Sequence, residues 1–343
     1  MTRWTFNSNG DKVVEAFKDR VKGKTSKVLP ISLLKFELIN PVVITGPGIG
    51  GIGAETALSL AAGSPSLLIL AGRTESKVSP LVAAISARYP SVSTKFVPLD
   101  LASQASVRAA AATISSSVES IDILINNGGI MVCPYAKSEE GIEMQFATNY
   151  VGHFLLTNLL VGKLLKGGGR EGVRVVNVSS SAHGSGVIRW DDVNFEDGKV
   201  YQPWEAYGQS KSALILFSHA LATRLKKHGG FSFSLHPGSI SSGLQVHMMA
   251  ADKALLEDGM ARAAAAEKAM GREWKMPAKK TMQQGCSTTL IAALDPSIEK
   301  DNGAYLDNGD IAANSPPDYL SLLESEHRLW KLSEELVGEK LDW

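Results

Sequence analysis

Apolar positions along this chain follow two rhythms. Short runs rich in Val, Ile and Leu predict strands at 42–45, 67–71, 95–97, 121–126, 174–178 and 231–235. Nearly all are apolar throughout rather than alternating, the pattern of strands covered by helices on both faces. Between them lie longer stretches with helical spacing, at 54–62, 103–117, 146–165 and 207–227. Strand and helix in alternation imply right-handed crossovers and a parallel, doubly wound sheet: an α/β fold of the Rossmann type, with three layers, α/β/α. There is no repeat of fixed period, which sets a solenoid aside.

Two segments stand outside this rhythm. Residues 245–284 are rich in Ala, Met and Lys and follow the sixth strand; they predict helices laid over one end of the sheet, a lobe on the substrate side. The tail, 317–343, contains SLLESEHRLWKLSEELV, apolar at helical spacing, and predicts a helix docked on the body. No Pro/Ser-rich linker divides the chain. The reading is one elaborated domain over 42–316, preceded by an N-terminal helix and extension over 1–41.

Composition narrows the function. With 44% apolar and 20% charged residues among 343, the chain has enough apolar material for a large core. Thirty-five basic residues balance thirty-five acidic ones, so no overall field recruits nucleic acid or an anionic membrane. Two distant cysteines, Cys133 and Cys286, exclude a disulfide framework, and no Cys or His spacing suggests a metal. Apolar stretches fall short of the ~20 residues of a spanning helix. The start, MTRWTFNSNGDKVVEAF, turns polar too early for a signal peptide. A cytoplasmic protein is expected.

The first strand runs directly into Gly46-Pro47-Gly48-Ile49-Gly50-Gly51-Ile52-Gly53, and a helix follows at Ala54. Glycines here let the backbone turn sharply, approach a pyrophosphate, and pack helix on strand. The N–H groups and dipole of the helix start would then hold the anion. A ligand-free Gly-rich turn is the blander alternative, and placement after the first core strand favours a dinucleotide. About 20 residues on, where NAD-preferring folds carry Asp or Glu, the strand ends Leu70-Ala71-Gly72-Arg73, with no carboxylate before Glu75. A guanidinium suits a 2′-phosphate, so NADP(H) is favoured over NAD(H); a solvated surface arginine is the alternative.

Tyr207 and Lys211 are four apart in a helical segment and share one face. An ammonium near a phenol favours the phenolate, which fits proton exchange with a substrate oxygen. The pair follows a strand ending Asn177-Val178-Ser179-Ser180-Ser181, which puts hydroxyls at the carboxyl edge of the sheet, where doubly wound folds bind ligands. Ser180 lacks a G-x-S-x-G elbow, so a hydrolase triad is a poor reading. His153, His183 and His236 have no spaced partners for a metal or a triad, and packing or hydrogen bonding is expected of each.

These motifs resemble the short-chain dehydrogenase/reductase superfamily, in particular its retinol-dehydrogenase-like and WW-domain-oxidoreductase-like branch. The match rests on TGPGIGGIG from Thr45, LDL from Leu99, NNGG from Asn126, NYVGHF from Asn149, VNVSSSAH from Val176, YGQSK from Tyr207 and HPGSI from His236, in the family's order over nearly the whole chain. The resemblance implies an oxidoreductase in which Tyr207 is the general acid/base and Lys211 lowers its pKa and binds the nicotinamide ribose. Ser180 would hold the substrate oxygen, with Ser179 or Ser181 as alternatives of register, and Asn149 would seat the water of a proton relay. Cofactor contacts are implied at Thr45, Gly46, Gly51, Ile52, Gly53, Arg73, Asp100, Leu101, Asn127, Gly128, Pro237, Gly238, Ile240 and Ser242. The substrate expected is a small apolar carbonyl or alcohol. Family members form dimers or tetramers, which makes a homodimer an expectation that the tail helix could oppose. A non-catalytic NADP(H) sensor or scaffold is the rival reading.

Four departures from the family pattern stand out. The glycine turn has one residue more than TGxxxGIG, leaving Gly48, Gly50 and Gly51 without fixed roles. NNGG replaces NNAG. Ser242 stands where a threonine is usual. Residues 26–41 intervene between Gly23-Lys24-Thr25 and the first strand, either as an insertion, such as a retained intron translated in frame, or as a functional loop.

Overall fold

A computed structural model describes residues 4–22, 41–169, 171–249, 253–269, 271, 273–312 and 323–343. Most of the suspected insertion (26–40) and the start of the tail (317–322) lie outside the described residues.

Six strands anchor the sheet: β1 Pro41–Thr45, β2 Leu67–Gly72, β3 Ser93–Pro98, β4 Ile123–Asn126, β5 Arg174–Val178 and β6 Phe231–His236. β1, β4 and β5 are buried along their whole length, as an apolar run without alternation requires. Ile121 is buried but precedes β4, its N–H bonded to the Lys163 carbonyl. Four short strands were not expected: β7 Ser239–Ile240, β8 Lys279–Lys280, β9 Tyr305–Asp307 and β10 Asp310–Ile311. β7 and β8 form a separate parallel pair, and the large sheet has the order β3-β2-β1-β4-β5-β6-β9-β10. Only β10 runs antiparallel to its neighbour.

One face of the sheet carries the helices Gln104–Ser117, Gly152–Leu159, Pro203–Lys226 and Leu323–Val337. The other carries Gly10–Ala16, Ile52–Ala62, Ser79–Arg88 and Met282–Leu294. The helix at 10–16 crosses Met282–Leu294 closely, because Gly10 has no side chain: a Cβ there would lie 2.4 Å from Cys286 Sγ. Helix Leu323–Val337 seats Leu329, Trp330 and Val337 in the first layer's core. Trp330 meets Phe154 edge-on at 5.1 Å, and the Ser333 and Tyr150 hydroxyls hydrogen-bond at 2.5 Å.

Residues 245–284 include helices at the carboxyl end of the sheet, with Lys253–Ala269 against Trp204 and the turn after β5, and also run into the sheet layer. They hold the short helix Val246–Met249, the helix Lys253–Ala269, which buries no side chain, then β8, then the first turn of Met282–Leu294, a helix of the sheet layer itself. Among the described residues no helix is long and apolar enough to cross a membrane.

Candidate active site

β1 and β4 are neighbours in the sheet, yet the chain leaves them toward opposite faces, which opens a crevice at their carboxyl ends. The buried Thr45 hydroxyl oxygen accepts the backbone N–H groups of Asn127 and Gly128, both at 2.9 Å. In return, the Asn127 side-chain amide donates to the carbonyls of Thr45 (2.9 Å) and Gly46 (3.2 Å). Asn127 Nδ2 is thus engaged in holding the glycine turn. Gly46 turns at φ +66°, and a Cβ on it would lie 2.6 Å from Gly128 Cα. A Cβ on Gly53 would meet Asn127 Nδ2 at 2.5 Å. Both positions demand glycine.

The extra residue of the turn is absorbed in the loop. Gly50 takes φ +77° in open space, and the Gly51 N–H closes back on the Gly48 carbonyl at 3.1 Å. Gly51 then occupies the N-cap of Ile52–Ala62 without any side-chain cap. The first bond of the helix is Glu55 N–H to Gly51 C=O, at 3.2 Å. This leaves the N–H groups of Ile52, Gly53 and Ala54 without a helical acceptor, a donor set that fits a diphosphate. Beside the turn, Arg73 follows the end of β2; it is exposed and has no hydrogen bond or ion pair with the described residues.

Further along the crevice, one Asp100 carboxylate oxygen accepts the Ala102 N–H at 3.0 Å. Leu101 supplies a wedge: a Cβ on Gly128 would lie 2.7 Å from its Cδ1. Leu101 therefore fills the space that NNGG leaves. Pro237 and Gly238 follow β6, with Gly238 at φ +100° against the Lys280 side chain. Ile240 is buried in β7, and the Ser242 hydroxyl accepts the Leu244 N–H at 3.3 Å.

Tyr207 and Lys211 project from the first turns of Pro203–Lys226, which opens with Pro203. Both are buried, and Lys211 Nζ lies 5.6 Å from the Tyr207 ring centroid. Lys211 Nζ donates to the Val178 carbonyl at 3.0 Å, which ties the helix to the end of β5. Ser180 caps the following 3-10 turn, Ser181–Ser185, its hydroxyl accepting the Ala182 N–H at 3.1 Å, and it lies near enough to Tyr207 to favour the ionised phenol. The alternatives of register point elsewhere: the Ser179 hydroxyl donates to the Lys211 carbonyl at 2.8 Å, and Ser181 is exposed.

Electrostatics differ from expectation at the tyrosine. Burial pushes the Tyr207 phenol up to about 12, and the nearby Ser180 hydroxyl opposes this only partly. Burial also pulls the Lys211 ammonium down to about 7. An amine near its titration point carries less positive charge, so desolvation outweighs stabilisation of a phenolate.

Asn149 sits in a π-helical turn, Ala147–Val151, of a kind that often marks functional sites. Its side chain brackets the Ile130 backbone, accepting the N–H at 2.8 Å and donating to the C=O at 3.0 Å. A Cβ on Gly129 would lie 2.9 Å from Asn149 Oδ1 and 3.7 Å from Lys211 Nζ, so this glycine keeps the two groups mutually accessible.

A family model described as short chain dehydrogenase matches residues 40–192. Short-chain dehydrogenase/reductase prx1 of Penicillium roqueforti is 35% identical over 307 residues, covering 86% of this chain and 84% of the relative. The chain belongs to the short-chain dehydrogenase/reductase family. Retinol dehydrogenase 12 of Bos taurus is 36% identical over 299 residues, covering 87% of this chain and 86% of that one. A solved structure from Mycobacterium paratuberculosis, 28% identical, superposes with a TM-score of 0.58 over 89% of this chain and 95% of its own.

In this short-chain dehydrogenase several residues of the same motifs support the site without a role of their own having been assigned. His153 bridges the glycine turn to Asn149: Nε2 lies 2.8 Å from the Thr45 hydroxyl and Nδ1 lies 2.8 Å from the Asn149 carbonyl. Burial lowers its pKa to about 4, so the ring is neutral, Nδ1–H donates and Nε2 accepts from Thr45. Ser210 joins the Asn149 amide (2.9 Å) to the Tyr207 carbonyl (2.8 Å). His183 Nδ1 holds the Ser180 carbonyl at 2.7 Å, and His236 Nδ1 accepts the Ser181 N–H at 3.1 Å. Glu143, fully buried, accepts the N–H groups of Gln145 and Phe146 and so caps the helix leading to Asn149. Hydrogen bonding was expected of His153, His183 and His236 and is found for each; their partners, and the roles of Ser210 and Glu143, were not visible.

Proposed function

We propose that this short-chain dehydrogenase interconverts a carbonyl and an alcohol on a small apolar molecule with NADP(H), using Tyr207 as the general acid/base. One observation carries the reading: Tyr207, Ser180 and Lys211 converge at the carboxyl end of β5, where Ser180 is close enough to lower the pKa of the Tyr207 phenol and Lys211 Nζ lies 5.6 Å from its ring, beside the apolar cluster of Met131 and Val132. The glycine turn, the uncapped helix start and the unpaired Arg73 fit a dinucleotide with a 2′-phosphate.

NADP(H), when bound, supplies or accepts the hydride at the carbinol carbon. As that carbon is reduced, negative charge grows on the substrate oxygen. Tyr207 and Ser180 present their O–H groups to that oxygen, a preorganised stabilisation in a site that excludes water. A phenol held up near 12 stays protonated at neutral pH, the form a general acid needs. Lys211, with a pKa near 7, exchanges a proton at little cost at neutral pH and suits replenishing Tyr207. In the oxidation direction Tyr207 accepts the proton instead. The bovine relative is named for retinol, an apolar alcohol, which accords with the apolar cluster beside Tyr207. A non-catalytic sensor would have no use for a buried amine facing a buried phenol, so that alternative is not adopted.

Loss of reduced-nicotinamide absorbance across a panel of apolar aldehydes and ketones tests the proposal. At least one should be reduced with NADPH in preference to NADH. Stoichiometric NADPH binding with no turnover of any member would contradict it.

A further inference from the structure

The loop that leaves β4 carries a backbone irregularity. Val132 sits at φ +53°, in the left-handed region, and is 1% exposed. For a β-branched side chain this conformation is an outlier, and it persists only where the surroundings hold it.

Gln145 holds it. The Gln145 side-chain carbonyl accepts the Val132 N–H at 2.7 Å. Its amide nitrogen donates to the Tyr201 hydroxyl and to the Pro203 carbonyl, both at 2.9 Å. Gln145 is fully buried, and these bonds engage its carbonyl and both of its side-chain N–H groups. The Tyr201 hydroxyl in turn donates to the Cys133 carbonyl at 2.9 Å, gripping the same loop one residue further on. Glu143 Oε1 accepts the Gln145 backbone N–H at 2.9 Å and so fixes the base of the side chain.

These bonds join three elements of the proposed site. Gln145 lies four residues before Asn149, and the two side chains bind the loop at Val132 and Ile130. Pro203 opens the helix that carries Tyr207. In an α-helix its carbonyl also accepts the N–H four residues on, which is that of Tyr207. Val132, with Met131, packs on Tyr207 itself. One buried carboxamide therefore reaches Tyr207 by two routes, through the backbone at Pro203 and through the side chain of Val132.

We infer that Gln145 is a positioning residue for Tyr207: it braces the first turn of the Tyr207 helix and the strained Val132 against the phenol, and so sets the orientation in which Tyr207 meets the substrate oxygen. The catalytic half of this rests on the proposed reaction; the brace does not. Without the carboxamide, Val132 relaxes out of the left-handed region and Pro203 loses its tie to the loop. A misplaced phenol transfers its proton more slowly, while aldehyde and NADPH bind as before.

The test compares wild type, Gln145→Met, Val132→Gly and the double variant. Methionine keeps the length of the side chain and removes its hydrogen bonds; glycine takes φ +53° without strain but leaves the phenol unsupported. With decanal and NADPH, Gln145→Met should lower kcat about thirtyfold, with KM and NADPH Kd within about twofold of wild type. The double variant should be about as slow as the slower single one, because both changes act through Tyr207. Hydrogen exchange on the free Gln145→Met protein should be about fivefold faster at 130–133 and 203–207, and unchanged in β1. Should Gln145→Met fail to fold, Tyr201→Phe removes one of the same bonds and should lower kcat about fivefold. An unchanged kcat in the variant that folds overturns the inference, as do losses that multiply in the double variant. Exchange that quickens equally in β1 marks general loosening and overturns it too. If wild type reduces no aldehyde while exchange responds only at 130–133 and 203–207, the brace stands and the proposed reaction falls.

Discussion

Lys211 offers a quantitative test of how the site is built. The residue is 4% exposed, and burial lowers its pKa from 10.5 to about 7. At 1.36 kcal/mol per pKa unit, carrying this lysine costs the folded protein roughly 4 kcal/mol at pH 7. The sign follows from proton counting. Between about 7 and 10.5 the unfolded chain holds the proton and the folded protein does not, so stability rises with pH through that window. Below the folded value both states are protonated and the penalty is constant. From pH 7 to pH 9 the gain from this one group is about 2 kcal/mol. Lys211→Met removes the amine and gives up its 3.0 Å bond to the Val178 carbonyl, worth about 1 kcal/mol. The variant should therefore be more stable than wild type at pH 7 and lack turnover. Urea unfolding of both proteins at pH 7, 8 and 9, without cofactor, gives the comparison, and the difference between them cancels every other titrating group. The stability gap should close by about 2 kcal/mol over this range. Parallel pH profiles, or a variant less stable at pH 7, would refute the argument that burial sets this lysine's proton affinity.

Other outcomes follow from the same geometry. Arg73→Glu should weaken NADPH binding by about thirtyfold, with NADH binding unchanged or improved, as read by fluorescence titration of each dinucleotide. Gly46→Ala places a methyl 2.6 Å from Gly128 Cα at a left-handed backbone position; it should abolish dinucleotide binding in whatever fraction folds. Trp330→Ala empties a buried site between Phe154 and the Arg224 guanidinium and should cost about 3–5 kcal/mol in urea unfolding. Trp330→Phe should cost clearly less, because the indole N–H has no partner among the described residues.

Much of this architecture could be read from the chain. The central strands were legible because burial on both faces forces unbroken Val/Ile/Leu runs, and β5 falls where it was expected. The edge strands β9 and β10 were not, since three and two residues give no period to detect. Helix Met282–Leu294 was hidden by its Gln-, Ser- and Thr-rich composition, although Thr281 and Gln284 form a capping box at its start. At the site, residues within one helix or one turn were found by spacing: Tyr207 with Lys211, Thr45 with the glycines. The bonds of Trp204 to Leu255 and of Ser210 to Asn149 gave no signal, because those partners belong to other elements. Protonation was the least legible property. A four-residue spacing predicts that Lys211 acidifies Tyr207, but burial is set by the whole fold, and it moves the phenol up and the amine down.

The central claim is that Tyr207 moves the proton that accompanies hydride transfer. Its most direct test uses NADPH deuterated at the nicotinamide C4, an apolar aldehyde, and mass analysis of the alcohol formed by wild type and by Tyr207→Phe, with NADPH binding measured in parallel. Wild type should place deuterium on the carbinol carbon, and the variant should bind NADPH equally while forming product at least about a hundredfold more slowly. Equal rates of labelled product from both proteins would contradict the account.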